Sequence, residues 1–400
     1  PFLFGVRRVE VVGELAVTTE PVTSADSALA LIHRHDPGAN PEPFNAPPKE
    51  RAGDEPAPVR GLPARDTDTI GHLVSLLGAG VSVLRATEGA EGVRGGWIPL
   101  GDWRGGLLAG GRDPSDIDAA LVPFGTAHGP LDGNALQALG KQTVRSIPRV
   151  AIYAPWTANM DEGWLRWTFE HLGHPYIQVR NARVRAGNLS ADFDVLILPS
   201  VRASTIRQGR SQGSVFPELA GGLDPEGSIA IEEFVRRGGT LIACESACQY
   251  AIELFDLPVE DVTRGKEAEG FNCPGSVLRT VPTPTSHAAG LPLSQPIFFS
   301  GSSAFRSQKI DKEAPPPPIA LGTFTPHLNF PSSQTLLSGY IAKPETISGA
   351  AAWGSISVGE GSVHLFGFRP HYRSWSHGAF WLLFRAIWVQ GDREKADPTE

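Results

Sequence analysis

The chain has 400 residues, 41% hydrophobic and 20% charged, with a formal net charge of −8. That length holds two or three domains with cores of their own, and the composition is ordinary for a globular protein. The acidic balance, with no basic block to offset it, argues against a nucleic-acid partner, and no apolar run approaches the roughly 20 residues of a membrane-spanning helix.

The sequence opens at Pro1 and its single methionine is Met160, so a fragment or processed product is expected, with any signal peptide lying upstream. Residues 1–35 begin "PFLFGVRRVEVV", whose alternating and β-branched apolar residues predict an edge strand. Residues 36–65 are rich in Pro, Gly and charge and poor in large apolar side chains. Such a stretch buries too little surface to offset its ordering entropy, which predicts a disordered or extended linker. In residues 66–147, "DTIGHLVSLLGAGVSVLRA" predicts a helix, a glycine stop and a short strand. The Gly-rich run that follows makes this a small irregular α/β segment.

From residue 148 the pattern becomes regular. "VAIY", "DVLIL" and "TLIAC" are short apolar runs suited to strands buried on both faces. They alternate with the helical patterns "MDEGWLRWTFEHLG", "IAIEEFVRRGG" and "ESACQYAIELF". This alternation implies right-handed crossovers and a parallel sheet with helices on both faces, hence an α/β domain over residues 148–390. Further on come a tetraproline loop (Pro315 to Pro318), a hairpin in "SISVGEGSVHLFGF" and a last helix in "GAFWLLFRAIWV", with residues 391–400 as a tail.

The stretch "GGTLIACESACQYAIELF" has the layout strand, sharp turn, helix, which is that of a nucleophile elbow. An elbow needs small residues on either side of its tip, and the fitting register is Ala243-Cys244-Glu245-Ser246-Ala247. Glu245 then takes the tip, Cys244 ends the strand, and Cys248 lies one turn into the helix. A carboxylate there cannot act as the thiolate of glutamine hydrolysis. Shifting the register would bring Cys244 or Ser246 to the tip, at the loss of a small flank.

A catalytic partner would come from "FGFRPHYRSWSHGAF", where Arg369, His371, Arg373 and His377 follow a predicted strand. Strand ends gather at one rim of a doubly wound sheet, so these residues are expected near Trp156, Asp161, Glu245 and Ser246. Glu245 is expected to pair with Arg369. The plainer alternative has them capping the last helix. His364, inside the strand, reads as packed. No His-x-x-Glu, His-Glu-x-x-His or Cys-x-x-Cys spacing occurs, and His33, His35 and Asp36 lead into the linker, so no metal site is expected. Cys244, Cys248 and Cys273 make no disulfide framework.

The ordered series "YAPWTANMDEGWLRWTFEHLG", "FDVLILPS", "GGTLIACESACQYAIELF", "FNCPGSVLR", "LLSGYI" and "LFGFRPHYRSWSHGAFWLLF" resembles the C-terminal region of large bacterial zinc carboxypeptidases. Those are carboxypeptidase A-like metallopeptidases with a class I glutamine amidotransferase-like domain after the catalytic one. The resemblance covers roughly residues 148–390, and "PFLFGVRRVEV" is similar to the stretch that follows the peptidase domain. It implies a flavodoxin-like sheet, an acidic and non-catalytic elbow, and a covalently preceding peptidase domain with peptide as substrate. It also implies a secreted or periplasmic setting, and zinc held only by that preceding domain. The chain is then an accessory region that stabilises the peptidase or helps present substrate. Two alternatives are an amidase or glutaminase using Cys244 or Ser246 with His371, and a small-molecule binding module.

Overall fold

A computed structural model describes residues 59–63, 68–86, 96–100, 114–126, 129–130, 142–144, 146–157, 159–288, 291–308 and 320–389. All of these lie in one of two compact units, which spans Pro58–Glu400 together with Pro1–Val6; the other is Arg7–Ala57. The edge strand expected in residues 1–35, the linker up to residue 58, the tetraproline and the tail lie outside the described residues.

Six short strands form a first, antiparallel sheet: β1 (Val59–Pro63), β2 (Ser82–Ala86), β3 (Gly96–Leu100), β4 (Val122–Thr126), β5 (Gly129–Pro130) and β6 (Gln142–Val144), in the order β5-β4-β1-β3-β2-β6. Helices α1 (Asp68–Gly78) and α2 (Pro114–Ala120) accompany it. The helix and strand expected in "DTIGHLVSLLGAGVSVLRA" are α1 and β2. The linker reading is corrected at its end: residues 59–63 pair on both sides, with β3 and β4. Leu62 is fully buried there, and this tertiary pairing outweighs the Pro and Gly content of its surroundings.

The larger sheet has twelve strands. Its parallel half comprises β7 (Val150–Tyr153), β8 (Ile177–Val179), β9 (Val195–Leu198), β10 (Thr240–Cys244) and β18 (Gly361–Phe366), in the order β8-β7-β9-β10-β18. Counted along the chain this is 2-1-3-4-5, the flavodoxin-like order. The crossovers carry α3 (Met160–Leu172), α4 (Asn181–Arg185), α5 (Leu189–Asp192), α6 (Ala203–Gln208), α7 (Glu226–Arg236) and α8 (Cys248–Phe255). Beyond β18 the sheet turns antiparallel through β17 (Ala351–Val358), β15 (Thr325–Asn329), β12 (Ser276–Pro282) and β13 (Gln295–Phe299). The short strands β11 (Val259–Asp261), β14 (Phe305–Ser307) and β16 (Leu336–Ser338) flank this part. Strands β17 and β18 form the expected hairpin, and α9 (His377–Trp388) is the expected last helix.

Successive side chains of a strand point to opposite faces. Val150 and Ile152 of β7, Val195 and Ile197 of β9, and Ile242 and Cys244 of β10 thus join one core with Leu165 and Phe169 of α3 and the apolar face of α9. Ala151 and Tyr153, Leu196 and Leu198, and Leu241 and Ala243 join a second core with Ile231 and Phe234 of α7 and Tyr250 of α8. The first core also takes in Leu62 and Trp97 of the small sheet and Ile70 of α1. Trp97 meets Trp388 edge-on, with ring centroids 6.1 Å apart.

Helix α3 matters most for the site. Asn159 Oδ1 accepts the Asp161 and Glu162 backbone N–H groups at 2.8 and 3.2 Å, and Gly173 ends the helix in the left-handed region at φ 69°. The Asn159 side chain also donates to the Ser200 carbonyl at 3.1 Å, which ties the start of α3 to the end of β9.

Two glycine substitutions should move stability in opposite directions. A Cβ on Gly361 would lie 1.9 Å from the Val235 carbonyl oxygen, so Gly361→Ala should lower stability by about 1–3 kcal/mol. Gly163, exposed on α3 with nothing within 4 Å of an added Cβ, should gain about 0.5–1 kcal/mol as Gly163→Ala. Urea titration of both variants checks the pair, and a neutral Gly361→Ala would show that α7 is not held against β18 as described.

Candidate functional site

At the carboxyl end of β10 the chain turns at Glu245, whose φ is 47°. A non-glycine residue is costly in this left-handed region, by roughly 1–3 kcal/mol, and such residues cluster at functional sites. Ala243 and Ala247 flank the tip and are fully buried, as the small-residue register requires. The Glu245 side chain is itself only 8% exposed. Its Oε2 accepts from Ser200 Oγ, at the end of β9, and from Ser246 Oγ at 2.9 Å. Gly301 lies beside it, since a Cβ there would make ordinary contact with Oε1 at 3.5 Å.

The thiols lie behind this tip. Cys244 is wholly buried as the last residue of β10, and burial first, then Asp161 and Glu245, push its thiol well above the ordinary range. Cys248 directs its Sγ to the carbonyls of Ala243 and Phe366, both at 3.2 Å, and burial raises its pKa too. Neither is poised as a thiolate.

The opposite wall comes from the segment after β18. Arg369 sets Nη1 3.7 Å from Asp161 Oδ2 and donates through Nη2 to the Ser300 carbonyl at 2.7 Å. The expected Glu245–Arg369 pair is therefore not formed: Arg369 is taken by Asp161, and Glu245 by two serine hydroxyls. His371 is fully buried, with Nε2 3.9 Å from Asp161 Oδ1. Burial, and then the Arg369 charge, drive its pKa down to about 3, so it stands neutral. Both of its ring nitrogens and Asp161 Oδ1 lack a hydrogen-bond partner among the described residues. No bond therefore joins His371 to Cys244 or Ser246, and the pairing an amidase would need is not assembled.

Asp161 is altered by the corner as well. Burial, opposed by Arg369 and reinforced by Glu245, raises its pKa from 3.8 to about 6. The rest of the expected rim lies apart from these contacts. Trp156 carries Arg180 over its ring at 4.3 Å. Arg373 is exposed against Tyr372, and His377 stands among Trp167, His171 and Phe380.

Glu245 and Ser246 also border a cleft of about 500 Å³, whose wall includes Arg202, Arg207, Glu253 and Arg264. Arg207 is paired with Asp224 and Glu253, each at 3.3 Å. Arg202 and Arg264 are exposed and form no ion pair among the described residues. Sequence reasoning missed Ser200 and the cleft arginines. The ending of "DVLILPS" was the available signal for Ser200, since the residue after a buried parallel strand reaches the rim.

No protein-family model matches the chain, and no curated protein is significantly similar to it. Among solved structures it is similar to a β-galactosidase from Bacillus circulans sp. alkalophilus at 12% identity and a TM-score of 0.34, over 61% of this chain and 31% of that one. The chain thus spans about a third of that enzyme's length. It is also similar to a putative ThuA-like protein from Bacteroides uniformis, at 11% identity and a TM-score of 0.36, over 62% and 94% of the two chains. A cytoplasmic protein from Salmonella typhimurium gives 13% and 0.37, over 60% and 99%. Likeness at this level says nothing of activity, and the fold rests on the strand order itself.

The Asp161 carboxyl gives this corner a pH signature. The folded state holds its proton more tightly than the unfolded chain does, so the protein should lose stability as pH rises from 3.8 to about 6. Asp161→Asn removes the ionised form that burial penalises. It should exceed the wild type at pH 7 by about 1–3 kcal/mol, with the gain fading below pH 4. Urea titrations at both pH values test this. A variant less stable at pH 7 would mean that the Arg369 pair outweighs the burial penalty.

Proposed function

We propose that this chain is a non-nucleophilic accessory region of a zinc metallocarboxypeptidase, whose elbow corner and cleft hold a polar ligand such as a peptide end. The carrying observation is the carboxylate at the elbow tip: Glu245 occupies the left-handed turn, anchored by Ser200 and Ser246. A nucleophile would need that position, and the nearest thiols are buried behind it. The resemblance of residues 148–390 to the C-terminal region of zinc carboxypeptidases supports an accessory role beside a peptidase domain. In that role the region would stabilise its neighbour or help present substrate. The cleft supports the ligand-holding part, because Arg202 and Arg264 offer charge-assisted bonds to a carboxylate.

A glutaminase or amidase reading makes opposite demands on chemistry. The proposed function predicts slow alkylation of Cys244 and Cys248 by iodoacetamide at neutral pH, made fast only by denaturant. It also predicts no release of ammonia from glutamine. In thermal-shift screening, short peptides with a free carboxylate should raise the melting temperature, and Arg264→Ala should weaken that response. Rapid labelling of Cys244 together with amide hydrolysis abolished in Cys244→Ser would overturn the reading.

A further inference from the structure

Three histidines that share no sequence motif meet where the antiparallel half of the large sheet joins β18. His327 lies on β15, His364 on β18, and His287 on the turn after β12. One ligating atom from each falls within 4.8 Å of the others. Their ring centroids are 4.5 Å (His287–His327), 4.9 Å (His287–His364) and 6.0 Å (His327–His364) apart. No other group of three His, Cys, Asp or Glu side chains among the described residues converges in this way.

We propose that His287, His327 and His364 form a binding site for one transition-metal ion of the zinc class. Imidazole nitrogen is a ligand that zinc, copper and nickel accept, and it binds in its neutral form. His327 and His364 are both buried in the sheet. They are rigidly mounted too. His364 and Ser355 face each other across β18 and β17, and β15 pairs β17 from the other side.

The surroundings supply the polar support that metal-bound histidines use. His327 has Thr285 Oγ1 2.9 Å from Nδ1 and Ser355 Oγ 2.8 Å from Nε2. One hydroxyl can keep the ring oriented while the other yields its nitrogen to the ion. His364 takes the Trp353 indole N–H at Nδ1 over a long 3.4 Å, a weak contact beside a metal–nitrogen bond. A tetrahedral ion with bonds of about 2.0 Å sets its ligands about 3.3 Å apart, so the rings must draw together. His287 has the most room to do this, because it is only partly buried and sits on a turn.

Charge sets the limit on affinity. Three neutral ligands leave the ion its full charge, and the Arg385 guanidinium of α9 acts on His327 from nearby. The site is therefore weaker than one completed by a carboxylate, and its remaining coordination positions fall to water or an added ligand.

The experiment uses the untagged full chain, stripped with chelator and then equilibrated with zinc chloride at neutral pH. Metal content and calorimetry give the stoichiometry and affinity. One equivalent should bind and raise the melting temperature. Cobalt(II) should give the intense visible absorption of a tetrahedral nitrogen-ligated site. His287→Ala, at the least buried of the three positions, should keep the metal-free melting temperature and lose at least about tenfold in affinity. Should that variant not fold, the wild-type stoichiometry and the cobalt spectrum decide by themselves. Absence of stoichiometric zinc binding in the wild type, or undiminished binding in folded His287→Ala, would overturn the proposal.

Discussion

The structure depends on double burial of three short strands. Every residue of β7, β9 and β10 is buried, and alternate side chains go to two different cores. A strand with no wet face must be covered above and below, and parallel crossovers through helices achieve this. Because these strands run the same way, their carboxyl ends collect at one rim. Ser200 follows β9, Glu245 follows β10, Arg369 follows β18, and Asp161 opens the helix after β7. The corner is thus a consequence of how the cores are built.

Within that corner most of the charged groups are paired inside the protein. Two carboxyl groups, a guanidinium and a neutral imidazole share a poorly solvated volume. The geometry divides them, Glu245 with serine hydroxyls and Asp161 with Arg369. Burial of Asp161 outweighs the attraction of Arg369, which is why its pKa rises despite the neighbouring cation. The sulfur atoms of Cys244 and Cys248 lie buried behind this corner, and burial holds both thiols toward the protonated form.

Much of this was legible locally. The short apolar runs "VAIY" and "TLIAC" and the amphipathic helices between them are properties of a few consecutive residues, which is the range over which pattern reasoning works. The elbow register was legible for the same reason, since Ala243, Glu245 and Ala247 lie within one turn. Asp161, Glu245, Arg369 and His371 do share the corner. Trp156, Arg373 and His377 do not share its contacts, because proximity to a strand end says nothing of which way a side chain leaves the backbone. The linker reading ran too far for a related reason: "VRGLP" has no strong pattern, and becomes a strand only because β3 and β4 hydrogen-bond to it on both sides.

The amino-acid sequence by itself determined the α/β class, the tip residue of the elbow and the absence of any short-range metal motif. Tertiary structure alone decided which charged groups pair and which histidines meet. His287, His327 and His364 lie on separate segments, far apart along the chain, and their nitrogens converge because β12, β15, β17 and β18 align side by side. Spacing within one element reports only neighbours on that element. Contacts across a sheet are set by strand order and register, which follow from burying the whole core at once.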